Sequence, residues 1–136
     1  MKNVRRLLLA ICLPALAGCA STLQDLRASP RETGTFKVSQ PYPLVLSTVE
    51  NAMMRCYRGG TNVSHFHAEA TEVKRGEVAV VEMIQDGLAR RVLIAVDLKA
   101  VPDGTQVTYF VHRGFAIFVT FRPIVAGWAE GGHTCG

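Results

Sequence analysis

Apolar and polar residues recur with two different periods along this chain. Val45, Val49, Ala52, Met53 and Cys56 follow one another at steps of four, three, one and three, while Ser47, Glu50, Asn51 and Arg55 fall elsewhere on the wheel. That spacing predicts one amphipathic helix over residues 43–58. Pro41 and Pro43 interrupt the strand-like alternation of Phe36-Lys37-Val38 and prepare the helix start. Gly59-Gly60 supplies the expected stop, since glycine reaches the left-handed conformation at a helix C-terminus without a Cβ penalty.

After the helix the period changes to two. A strand is expected over residues 62–73, with Phe66, Ala68 and Ala70 on one face and His65, His67 and Glu69 on the other. Lys74-Arg75-Gly76 turns the chain into a second strand over 77–85, and Asp86-Gly87 opens the next turn. A third strand over 91–101 sets Val92, Ile94, Val96 and Leu98 against Asp97 and Lys99. Pro102-Asp103-Gly104 closes it, and a fourth over 105–112 alternates Val107, Tyr109 and Val111 with Gln106, Thr108 and His112. Connections this short require antiparallel neighbours, because a parallel pair needs a crossover of about a dozen residues or more.

Residues 114–136 carry a mixed signal. Phe115-Ala116-Ile117-Phe118-Val119-Thr120-Phe121 is apolar at both periods and fits a buried strand or the first part of a helix. Pro123 suits the first position of a short helix reaching about Glu130, with Gly131-Gly132 as its stop. Residues 20–35 are polar, broken by Pro30 and Gly34, and read as a tether in which Leu23 and Leu26 offer at most one amphipathic turn. The expected architecture is α+β: one amphipathic helix on a four- to five-stranded antiparallel meander, with a short C-terminal helix, in two layers.

The first residues have a different character. Lys2, Arg5 and Arg6 precede the apolar run Leu7-Leu8-Leu9-Ala10-Ile11-Cys12-Leu13-Pro14-Ala15, which is too short to span a bilayer permanently, and Leu16-Ala17-Gly18-Cys19 ends it. This order of charge, apolar length, small residues and cysteine resembles the lipobox of bacterial lipoproteins. The resemblance implies cleavage before Cys19 by signal peptidase II after a diacylglycerol has been added to the Cys19 sulfur. Ala15-Leu16-Ala17 also offers an A-x-A site to the ordinary signal peptidase, which would release the chain into the periplasm. On the lipobox reading, residues 1–18 are a cleaved signal, 19–35 a lipidated N-terminus and flexible tether, and 36–136 a single globular periplasmic domain.

Cleavage alters the charge and the cysteine arithmetic. Three of the fifteen basic residues and none of the eleven acidic ones precede Cys19, so twelve against eleven remain, a formal charge of +1. The basic footprint of a nucleic-acid binder is missing. Of the four cysteines, Cys12 leaves with the signal and Cys19 receives lipid, so Cys56 and Cys135 remain. In an oxidising compartment such a pair predicts a disulfide, closing a loop of about 80 residues and holding the penultimate residue in place.

With this cysteine order, the helix ending at Cys56, the meander, and Trp128-Ala129-Glu130-Gly131 before Cys135, the chain resembles small lipoproteins of Gram-negative envelopes, families without assigned catalytic residues. In many such bacteria an aspartate after the lipidated cysteine favours inner-membrane retention. Ala20 stands there, so the resemblance implies the periplasmic face of the outer membrane.

Little in the sequence points to chemistry. His65 and His67 share a strand face and place two imidazoles within reach of one ion, with Glu69, His112 or His133 as conceivable additions, but two ligands are not a site. A solvated strand face is the preferred reading, and no metal or cofactor is assigned. Ser64-His65 is sequence proximity without a nucleophile motif, Glu82 and Asp97 would form an acid/base pair only if buried together, and no P-loop or dinucleotide glycine pattern is present. The chain is therefore not expected to be an enzyme. Phe115, Phe118, Phe121 and Trp128 fit a core, an exposed docking surface or the lining of an acyl-chain groove, the core being preferred. The resulting expectation is a membrane-held structural or interaction module with an envelope protein as partner; the alternative is a binder of a lipid fragment or a metal ion.

Overall fold

A computed structural model describes residues 21–135; the expected signal segment and the expected lipidation at Cys19 lie outside the described residues. The elements in chain order are α1 (Leu23–Ala28), β1 (Glu32–Val38), α2 (Tyr42–Tyr57), β2 (Gly59–Thr61), β3 (Ser64–Lys74), β4 (Val78–Asp86), β5 (Arg91–Val101), β6 (Gly104–Val111) and α3 (Arg122–Ala129). The six strands form one antiparallel sheet in the order β1-β6-β5-β4-β3-β2. Strands β3 to β6 are the expected meander. Two more than its four come from β1, which pairs with β6 at one edge, and from β2, a three-residue strand at the other.

Helix α2 starts near the β1 edge and crosses the sheet to reach β2, burying Tyr42, Val45, Val49, Ala52 and Met53. Beneath it lie Val81, Met83, Ile94, Val96, Leu98, Val107, Tyr109 and Val111, and α3 adds Val125 and Trp128 to the same core. This is the α+β two-layer arrangement, with apolar alternate residues of the sheet turned toward one helical layer. The helix stops differently from expectation. Arg58 is already extended, and Gly59 and Gly60 enter β2 with φ of +131° and +158°. A Cβ on Gly60 would fall 2.3 Å from the Ser64 carbonyl oxygen, so the tight β2–β3 hairpin itself requires glycine there.

The expected tether is folded from Ser21 onward. Thr22 and Asp25 form a reciprocal capping box: the Asp25 N–H donates to Thr22 Oγ1 at 3.1 Å and the Thr22 N–H to Asp25 Oδ2 at 3.0 Å. The short α1 then lies on the sheet face opposite α2, where Leu26, 2 % exposed, packs with Val80, Val92 and Ala95. Arg27 ties it down, 2.6 Å from Asp97 and 5.9 Å from the centre of the Phe110 ring. Those apolar residues on the outer face explain the correction, since burying them gives α1 a tertiary surface that a six-residue helix lacks in isolation.

Val92 is on that outer face and not beside Ile94, because Met83 pairs with Ile94 and Ile84 with Val92, leaving Leu93 as an extra residue. The bulge turns Leu93 and Ile94 into the main core and reverses the phase at Val92. Residues 112–121 form neither strand nor helix. They run through turns, with Ala116 at φ +42°, before α3 begins. Phe121 and Trp128 are buried and Phe115 partly so, but Phe118 is 96 % exposed, so the aromatic group divides between core and surface.

Candidate functional site

The strand register shows which parts of the chain share one end of the sheet. Glu32 faces Val111, Val111 faces Ile94, Gln85 faces Arg91 and Asp86 faces His65. The starts of β1, β3 and β5 and the ends of β4 and β6 therefore form one rim, about 20 Å long at the usual strand spacing. Apolar side chains stand exposed on its loops: Val63 before β3, Leu88 between β4 and β5, and Ile117 and Phe118 after β6.

These loops are held in place. Arg31, just before β1, donates to the carbonyls of Ile117 at 3.1 Å and Val119 at 3.0 Å, and its guanidinium lies 5.8 Å from the centre of the Phe121 ring. Val63 and Leu88 border one shallow depression with Gln85 and Arg91, where Gln85 Nε2 donates to Ser64 Oγ at 2.9 Å. Arg113 donates to the Ser29 carbonyl at 3.2 Å.

The described residues begin at this same rim. Ser21 forms an isolated bridge to Arg91, and its carbonyl accepts the Val92 N–H at 3.0 Å. Cys19 precedes Ser21 by two residues, and two extended residues reach only about 7 Å. Among the described residues no helix is long and apolar enough to cross a membrane.

The expected disulfide joins Cys56, at the end of α2, to Cys135, with Cα atoms 5.3 Å apart. The C-terminal tail is also held by Trp128, whose Nε1 donates to the Thr134 carbonyl at 2.7 Å, while Tyr57 makes edge contacts with Trp128 and Phe115. Burial pushes the Tyr57 hydroxyl pKa up. Beside this corner, between α2 and β3, an open groove of about 610 Å³ is lined by Met54, Phe66, Ala68, Arg55 and Arg58.

The histidines do not converge as a group of four. His65 and His67 share the outer sheet face, their rings stacked with centres 6.2 Å apart. Both meet the same oxygen of Asp86: His67 Nδ1 at 3.2 Å and His65 Nε2 at 3.8 Å. Asp86 read in the sequence only as the start of a turn. The cross-strand pair His65–Asp86 is the signal that would have found it, and that pair requires the strand register. Glu69 is bound instead to Arg90 at 3.0 Å. His112 accepts the Gly114 N–H through Nδ1 at 3.1 Å, and burial, aided by the Arg91 charge, lowers its pKa. His133 sits beside Thr48, Asn51 and Arg55.

Glu82 and Asp97 both lie on the outer face, but Asp97 is neutralised by Arg27. Burial and the facing Glu69 raise the Glu82 pKa, while Arg90 and Arg27 oppose the rise. The two carboxylates line one open depression with Arg27, which is bonded to Asp97, and they do not form a buried acid/base pair. Ser64 donates nothing to His65; its hydroxyl accepts from Gln85.

No protein family matches this chain, and no curated protein or solved structure matches it significantly.

Proposed function

We propose that this protein is a lipid-anchored envelope lipoprotein whose folded domain rests rim-first against the membrane and acts there as a structural or protein-interaction module. The observation that carries the reading is the position of Ser21. The lipobox ends two residues earlier, and Ser21 is bonded to β5 at the rim that exposes Val63, Leu88, Ile117 and Phe118. A domain anchored so closely has no room to stand away from the bilayer. Its apolar loops would enter the interfacial region, with Arg113 and Arg90 beside anionic headgroups.

The acyl chains secure attachment, since each buried methylene contributes about 0.8 kcal/mol and several chains exceed the need for stable anchoring. Ala20 after the cysteine supports the periplasmic face of the outer membrane as the location. The opposite end, where Val73 and Leu44 are exposed, then faces the periplasm and an envelope protein partner.

The test combines intact mass spectrometry with membrane fractionation of wild-type and Cys19→Ser cells, and photo-labelling of the anchored protein by a headgroup-reactive lipid. The expected result is a mature mass starting at acylated Cys19, lost in the variant, with label on the Leu88 and Phe118 peptides. An unmodified soluble form, or equal labelling around Val73, would overturn the reading.

The groove between α2 and β3 favours a second reading, a binder of a lipid fragment. Met54 and Phe66 offer an apolar floor, and Arg55 and Arg58 suit an anionic head. Saturable binding of a lysophospholipid that is lost in Phe66→Asp but retained in Phe118→Asp would support this alternative over the first.

A further inference from the structure

We propose that His65, His67 and Asp86 form a surface site for a zinc-class divalent transition-metal ion, with an open coordination position. The argument begins with the strand. Residues two apart on β3 project from the same face, and β4 places Asp86 directly opposite His65. One ligand atom from each of the three residues lies within 4.8 Å of the other two. In a tetrahedral zinc site with bonds near 2.0–2.1 Å, neighbouring ligand atoms are about 3.4 Å apart. The 3.2 Å and 3.8 Å separations to Asp86 already bracket that spacing. The two imidazole donors lie within 4.8 Å of each other, so side-chain adjustment of about 1 Å would bring the set to that spacing.

The donor set selects the ion. Two imidazoles and one carboxylate suit zinc, copper or nickel, whereas magnesium and calcium prefer all-oxygen shells. Ile84, the cross-strand partner of His67, is fully buried beside the cluster, and the two paired strands give the ligands a rigid base. One oxygen of Asp86 is the common neighbour of both rings, so the three donor groups converge on one point of the sheet face. Glu69, the next residue on this face, is engaged with Arg90. Three protein ligands therefore leave the fourth position to water or to an incoming donor, the pattern of sites that bind or process ligands rather than purely structural ones. This inference is independent of the membrane anchor.

The full mature chain, extracted in detergent and free of any affinity tag, is titrated with zinc chloride by calorimetry. His67→Gln, Asp86→Asn and, as a control, His133→Gln are titrated in the same way. The expected result is one zinc per chain, affinity lowered at least tenfold in the first two variants and unchanged in the control, with no heat from magnesium. Cobalt should give the visible bands of a low-coordinate site in wild type and lose them in Asp86→Asn. Circular dichroism establishes that each variant is folded. Absence of stoichiometric zinc binding, or binding that survives both ligand substitutions in folded protein, would overturn the assignment.

Discussion

The Glu32 carboxylate, at the first position of β1, accepts the backbone N–H of Phe121 at 2.9 Å, across 89 residues of sequence. The same carboxylate accepts the Arg122 N–H at 3.1 Å and the Tyr109 hydroxyl at 2.9 Å. Phe121 provides no side-chain cap to α3, so an acid from an edge strand satisfies the first donors of the helix and meets the positive end of its dipole. Glu32→Ala should lower unfolding free energy by about 1–3 kcal/mol, because the hydroxyl of the buried Tyr109 also loses its acceptor. Glu32→Gln, which retains one acceptor oxygen, should lose less. Urea denaturation of the oxidised protein measures both.

The Cys56–Cys135 bond spans 79 residues, for which the chain-entropy account gives roughly 4 kcal/mol. Cys56→Ser should lower the melting temperature, and adding Cys135→Ser should change it little further, since both substitutions remove one bond. Peptide mapping without reductant should recover the joined pair. Two free thiols in protein isolated without reductant would contradict it.

His112 gives the fold a pH dependence of definite sign. Burial, followed by the Arg91 charge, lowers its folded pKa below the ordinary 6.5. The unfolded chain therefore binds the proton more readily, and the contribution of this histidine is fully present above the unfolded pKa and lost as pH falls through the folded one. Thermal melts should show wild-type stability declining below about pH 6.5 more steeply than in His112→Gln. Parallel curves for the two proteins would remove His112 from the explanation.

Gly104 opens β6 at φ +138°, and a Cβ there would lie 2.0 Å from the Val38 carbonyl oxygen. Backbone, unlike a flexible side chain, cannot swing aside. Gly104→Ala should cost about 2 kcal/mol or more and loosen the β1 edge first, visible as faster amide exchange at Lys37 and Val38.

The elements most legible in the sequence were those whose burial follows a single period. Val45, Val49, Ala52 and Met53 marked the buried stripe of α2, and Val107, Tyr109 and Val111 the inward face of β6. Legibility failed where tertiary contact decides. Leu26 signals a helix only once Val80, Val92 and Ala95 are seen as a surface needing cover. The bulge at Leu93 is invisible in a run of apolar residues, where any phase fits. Phe118 and Phe121 are identical in type yet opposite in exposure, because Arg31 holds the intervening loop by its carbonyls. The pairing Cys56–Cys135 was legible from the cysteine count once the lipobox reading set Cys12 and Cys19 aside. Asp86 beside two histidines was not, since it depends on how β3 and β4 align.

The covalent link divides the described chain into a ring and a tail. The ring, from Cys56 to Cys135, contains strands β2 to β6 and α3; the tail holds α1, β1 and nearly all of α2. An oxidised molecule drawn out from its N-terminus would first surrender the Ser21 bridge and α1, then the pairing of β1 with β6. Past Cys56 the pull would divide between two arms of a closed loop, so any narrow passage would have to admit a doubled chain. Reduction turns the same molecule into a single thread.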